Sequence, residues 1–141
     1  HQIRYNQTTI YKTCRGLQRL KNYNNMIQTK RIYEQYAEDD GYRVLIDRLW
    51  ARGVSKKDAR VDLWLKEVAP STELRKWYHH EPDKWEEFDK RYRMELSDKQ
   101  DLLMQLKDLE KKHGTVTLLY ASKDSEHSQA TVLIKLLYEL D

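Results

Sequence analysis

At 141 residues the chain has room for one sizeable core and too little for two. Hydrophobic residues at 39% and charged ones at 35% describe a well-solvated globule, and no run approaches the roughly 20 apolar residues of a membrane span, so no membrane partner is expected. The formal charge of +3 is uneven: residues 1–25 hold five basic residues and no acid, and subtracting these five from 26 leaves 21 Lys and Arg against 23 Asp and Glu over 26–141, which argues against a general nucleic-acid binder.

Residues 1–25 carry Arg4, Lys12, Arg15, Arg19 and Lys21 among many Asn, Gln and Thr, with no sustained apolar period. They read as a disordered tail or an added upstream extension, with Met26 the expected start of the domain 26–141; a genuine basic arm is the alternative. Cys14 is the lone cysteine, so no disulfide can close within one chain, and a reducing, cytoplasmic setting is expected.

Ile27 to Tyr33 and Tyr42 to Leu49 read as strands, separated by Glu38-Asp39-Asp40-Gly41, a turn whose glycine can take positive φ. The second strand has the apolar centre of one buried on both faces. Ser55-Lys56-Lys57-Asp58 has the spacing of a capped short helix, and Val61 to Val68 is ambiguous between strand and helix, with an extended or irregular segment expected.

Ser71 is expected to cap a helix running to about Tyr78, and Pro82 fits the first turn of the next, where Trp85, Phe88, Tyr92 and Leu96 form an apolar stripe. Ser97-Asp98-Lys99-Gln100 is read as the cap of a further helix that buries Leu102, Leu103, Leu106 and Leu109 and stops at His113-Gly114. Thr115 to Ala121 reads as a strand, and a last helix from about Glu126 turns Ala130, Leu133, Ile134 and Leu137 inward. The class is α/β: a single domain with a small, mostly parallel sheet flanked by helices.

In such sheets ligands collect at the carboxyl ends of the strands. Both good strands end in charge there. Val44-Leu45-Ile46 breaks into Asp47, Arg48 and Arg52, and Val116 to Tyr120 runs into Ser122, Lys123 and then His127. If the strands are parallel neighbours, Arg48 and Arg52 offer guanidinium forks, Lys123 a point charge, Ser122 a hydroxyl, and the last helix its free N–H groups, which together make an anion site. The alternative is that Asp47 pairs with Arg48 or Arg52 and that Asp124 or Ser125 merely caps the helix. His127, placed in the first helical turn, is a candidate acid or base beside Asp47, or faces solvent. Arg75 and His80, after Ser71, are expected to bring at least one side chain to the cleft holding Arg48.

Weaker patterns are set aside. His79-His80-Glu81 places adjacent ligands in divergent directions, so no metal is expected. The glycine-rich nucleotide loops are absent, and nothing names a cofactor. Trp50, Trp64, Trp77 and Trp85 can stack on bases, but large aromatics more often fill cores.

The runs DGYRVLIDRLWARG, DLWLKEVAPSTELRKWYHHEPDKWEEFDKRY and VTLLYASKDSEHSQA resemble the YeaO-like family, small bacterial proteins grouped as a domain of unknown function. The resemblance covers nearly all of residues 28–138. It departs at Ala51, where the family pattern usually has proline, and at Ser128, where it commonly has asparagine. It implies a compact cytosolic α/β protein and no established activity. Two functions therefore stand: a domain that binds a compact anionic ligand carrying phosphate or carboxylate, with or without catalysis, or a non-catalytic nucleic-acid- or protein-interaction module built on Arg43, Arg48, Arg52, Lys56, Lys57 and Arg60.

Overall fold

The computed structural model describes residues 25–140, so the expectation for residues 1–24 lies outside the described residues. Strands β1 (Met26–Arg31), β2 (Tyr42–Leu45), β3 (Leu63–Trp64) and β4 (Thr115–Tyr120) form a sheet of order β1-β4-β2-β3 whose neighbours are all parallel. Among the described residues five α-helices accompany them: α1 (Lys56–Ala59), α2 (Thr72–Tyr78), α3 (Trp85–Ser97), α4 (Gln100–His113) and α5 (Gln129–Glu139). The single-domain α/β reading holds, with a sheet that is parallel throughout.

The central strand β4 pairs Val116 with Ile27 on one side and with Tyr42 on the other, and Leu119 with Lys30 and Leu45. Its residues 116–120 are buried, as a parallel strand covered on both faces requires. Alternation then divides the core. Val116, Leu118 and Tyr120 face the larger cluster, where Phe88, Tyr92 and Leu96 of α3, Leu103 and Leu106 of α4, and Leu133 and Leu137 of α5 cover the sheet. Leu119 and Leu45 face a smaller cluster with Ile32, Ala51 and Ala59, edged by Trp50 and Trp64. The tryptophans thus sit half-buried at the rim of the core rather than on an open stacking surface.

The expected caps at Ser55 and Ser71 are present: their hydroxyls accept the N–H groups of Asp58 and Leu74. The expected cap at Ser97 is not. Ser97 is the last residue of α3 and its hydroxyl donates to the Met94 carbonyl at 2.6 Å, while Lys99, at the N-cap of α4, sends its ammonium to the Glu67 carbonyl. The ambiguous stretch 61–68 resolves into the short strand β3 and a 3₁₀ turn at Lys66–Val68.

Two boundaries differ from expectation for a reason that bears on the site. β2 ends at Leu45 rather than Leu49, although the Ile46 N–H still donates to Leu119. Beyond it the Asp47 carboxylate takes the Ala121 N–H at 2.9 Å, so a side chain closes the ladder where backbone would have continued it. The last helix begins at Gln129, not Glu126, because the Asp124 carboxylate accepts the N–H groups of Glu126 and His127, both at 3.0 Å, and holds 125–128 as a bend ahead of the helix. His127 therefore precedes the helix instead of occupying its first turn.

Gly41, at φ 66°, turns the chain into β2, and a Cβ there would overlap the carbonyl oxygen of Thr115. Gly41→Ala should lower unfolding free energy by at least about 2 kcal/mol, since a left-handed alanine and a backbone clash add. Urea denaturation checks this, and a loss under about 0.5 kcal/mol would show the turn to be pliable.

Candidate functional site

The neighbouring exits of β2 and β4 open into one cleft of about 440 Å³. Three segments wall it: residues 47–52 after β2, the stretch from Ala69 through α2 to His80, and residues 121–129 leading into α5. Tyr33 and Phe88 complete the lining. Asp47, Arg48, Arg52, Arg75, His80, Ser122 and His127 all line this cleft, whereas Lys123 is exposed and does not. Arg75 and His80 share the cleft with Arg48 because Ser71 starts α2 where Glu95 of α3 grips both its N–H and its hydroxyl, at 2.8 and 2.6 Å.

The pairing of Asp47 with an arginine is not what the fold adopts. One oxygen of its carboxylate accepts from Ala121 and the other from the side-chain amide of Gln129, while its carbonyl accepts the Trp64 indole N–H at 2.7 Å. Burial pushes the carboxyl up from 3.8 to about 6, against the smaller pull of the Ala121 N–H in the opposite direction. Arg48 instead donates to the carbonyls of Ala69 and Pro70 at 3.1 and 3.3 Å, which ties the β2 exit to the start of α2. Arg52 is exposed, and its carbonyl accepts the Tyr33 hydroxyl.

Across the cleft, His127 is oriented rather than free. Its Nδ1 lies 2.9 Å from Asp124, its carbonyl accepts the Tyr78 hydroxyl, and its ring meets Trp85 edge-on at 5.1 Å. Partial burial raises the Asp124 carboxyl, but hydrogen bonds from the His127 ring and from the backbone of Glu126 and His127 outweigh this and leave it below its ordinary value. Ser122 accepts the Asp124 N–H at 3.2 Å and is part of the same turn. Among the described residues no group of three His, Cys, Asp or Glu side chains is placed to hold a metal.

Sequence reading missed Gln129 and the burial of Ser128. Gln129 meets Asp47 across 82 residues, a contact no local pattern encodes. Ser128 is 2% exposed and its hydroxyl has no partner among the described residues. The basic group named for an interaction surface is also broken up. Arg43 is 2% exposed and pairs with Asp40, leaving Arg52, Lys56, Lys57 and Arg60 of that set exposed.

Sheet, helices and cleft define a small parallel α/β domain with a cleft at the carboxyl edge of its strands, lined by Arg48, Arg52, Arg75 and Asp47 among others. The chain belongs to the family described as the inactive DUF488-N3 subclade, whose profile matches residues 26–140, which agrees with the YeaO-like resemblance. It is 45% identical over 113 residues to "Uncharacterized protein Rv3073c" of Mycobacterium tuberculosis (strain ATCC 25618 / H37Rv), covering 79% of this chain and 92% of that one. It is 43% identical over 114 residues to "Uncharacterized protein YeaO" of Escherichia coli (strain K12), covering 81% and 98%. No solved structure matches the chain.

Proposed function

We propose that this domain recognises a compact ligand bearing an anionic group, phosphate or carboxylate, in the cleft at the strand exits. One observation carries the reading: the lining holds the exposed Arg52 and Arg75, beside an Arg48 already tied to two carbonyls, against a single lining acid, Asp47, whose carboxylate is engaged by Ala121 and Gln129. An excess of guanidinium groups along the wall of a cleft favours an anion over a neutral or cationic molecule. The volume suits a small molecule rather than a polymer. The family's description as inactive favours binding over turnover; were there catalysis, Asp47 and His127 are the groups able to move a proton. Among the described residues no helix is long and apolar enough to cross a membrane.

A nucleic-acid or protein module is the weaker reading, because burial of Arg43 and the carbonyl contacts of Arg48 withdraw two of its six cations. Arg52 supplies the test, since it is exposed and its side chain has no structural duty in the contacts above. Arg52→Ala should leave stability within about 0.5 kcal/mol. It should also weaken the rise in melting temperature produced by inorganic phosphate, citrate or nucleotides, in line with about tenfold lower affinity. A wild-type protein whose melting temperature responds to none of these anions, but which binds DNA or RNA in a salt-dependent manner, would move the function to the second reading.

A further inference from the structure

Apolar surface gathers at the mouth of the cleft. Among the described residues five large hydrophobic side chains are exposed, and two of them, Tyr33 at 47% and Leu49 at 61%, line this cleft. The other three, Met94, Met104 and Leu140, belong to α3, to α4 and to the residue after α5. A single exposed apolar residue is ordinary, whereas two on the rim of one recess mark a place that can receive an apolar group. Tyr33 is the more informative of the pair because its position is fixed. It follows β1, and its hydroxyl donates to the Arg52 carbonyl at 2.9 Å, so the side chain reaches from the exit of the edge strand β1 to the loop after β2.

One face of that ring is already taken. The Arg31 guanidinium lies over it, 4.9 Å from the ring centre. Arg31 is itself held, its Nε and Nη2 donating to the carbonyls of Ser122 and Ala121 at 2.8 and 2.9 Å. With the hydroxyl engaged and one face covered, the ring surface left to solvent is chiefly its second face. A brace between the β1 exit and the β2 loop needs the hydroxyl but has no use for an open aromatic face. A tyrosine fixed in this way loses little freedom when another flat ring settles on it. The residue that accepts its hydroxyl is Arg52, exposed and lining the same cleft, so a cation is tethered beside the ring.

We propose that Tyr33 is a stacking platform at the mouth of the cleft, so that the anionic ligand carries a flat aromatic ring. The proposal rests on the anion reading above and narrows it to a chemical class. The ring lies on the open face of Tyr33, and the anionic group turns towards Arg52. A saturated ring of the same size gains similar apolar burial but not the offset stacking of two π-systems, so this platform discriminates between them.

The test is calorimetric titration of the full chain with inorganic phosphate, phenyl phosphate and cyclohexyl phosphate, the last two sharing a head group and differing in the aromaticity of the ring. The wild-type protein should bind phenyl phosphate about fivefold more tightly than cyclohexyl phosphate. Tyr33→Phe keeps the ring and should keep that ratio, whereas Tyr33→Leu keeps apolar bulk without a ring and should bring it to about one. In NMR spectra of the wild type the Tyr33 ring-proton signals should move upfield with phenyl phosphate and not with cyclohexyl phosphate. A wild-type ratio near one, a preference that survives Tyr33→Leu, or Tyr33 ring signals indifferent to phenyl phosphate would each overturn the platform. Binding of inorganic phosphate would then leave the anion reading standing. A wild-type protein that binds none of the three overturns both. Should Tyr33→Leu fail to fold, the ring-proton shifts of the wild type decide.

Discussion

Asp47→Asn should make the protein more stable at pH 7, by up to about 3 kcal/mol, the free energy that corresponds to a carboxyl raised from 3.8 to about 6 by burial. The sign follows from proton uptake. Above about pH 6 the folded protein carries an ionised, desolvated Asp47 and bears the full cost. As pH falls from about 6 towards 3.8 the folded state takes up its proton before the unfolded state does, so the wild type regains stability and the advantage of the variant shrinks to nothing. Asparagine preserves an acceptor for Ala121, and the Gln129 amide can rotate to face the new NH₂ group, so the substitution leaves no orphaned partner. Urea denaturation of both proteins between pH 4 and pH 8 measures the difference. Equal stabilities across that range would show that Asp47 is not held at a cost, and would remove a reason to regard it as functional. A carboxylate kept ionised in a cleft against the interest of stability is the pattern expected of a site.

Asp40→Ala should do the reverse, costing roughly 3–5 kcal/mol. Asp40 is 3% exposed and binds Lys30 through both oxygens at 3.0 Å, the Ala37 N–H at 3.0 Å, and the Arg43 guanidinium. Burial alone would raise its carboxyl, but these partners more than offset that and hold it below its ordinary value. Its stabilisation is therefore present above the unfolded value near 3.8 and is lost as pH falls through the lower folded one. Removing it takes the paired acid from the buried Arg43 and leaves its guanidinium the carbonyls of Ala59 and Arg60 and the face of the Tyr36 ring. Thermal unfolding checks the size of the effect, and a loss below 1 kcal/mol would mean that Arg43 escapes to solvent through a rearranged β1–β2 turn.

Asp40 and Asp47 also show what the sequence could and could not convey. The strand exits were legible because apolar runs that end abruptly in Asp and Arg are unusual in a buried sheet, and the parallel pairing of β2 with β4 placed both exits together. The caps at Ser55 and Ser71 were legible because a cap is a local device spanning three residues. Arg43 was not, since a lone arginine in a strand resembles a surface cation until Asp40, tucked under the sheet, is seen to meet it. Ser97 carried the spacing of a cap, yet it is the last residue of α3 and its hydroxyl turns back to the Met94 carbonyl. Gln129 acquires its significance from Asp47, 82 residues away, which only the fold brings near.

The most direct test of the cleft as an anion site is amide NMR mapping of the full chain titrated with inorganic phosphate at constant pH and ionic strength. The structure predicts saturable shifts confined to residues 47–52, to the Arg75–His80 stretch and to residues 121–130. Absence of saturable shifts there, or shifts centred instead on the Arg60 and Lys56–Lys57 surface, would contradict it.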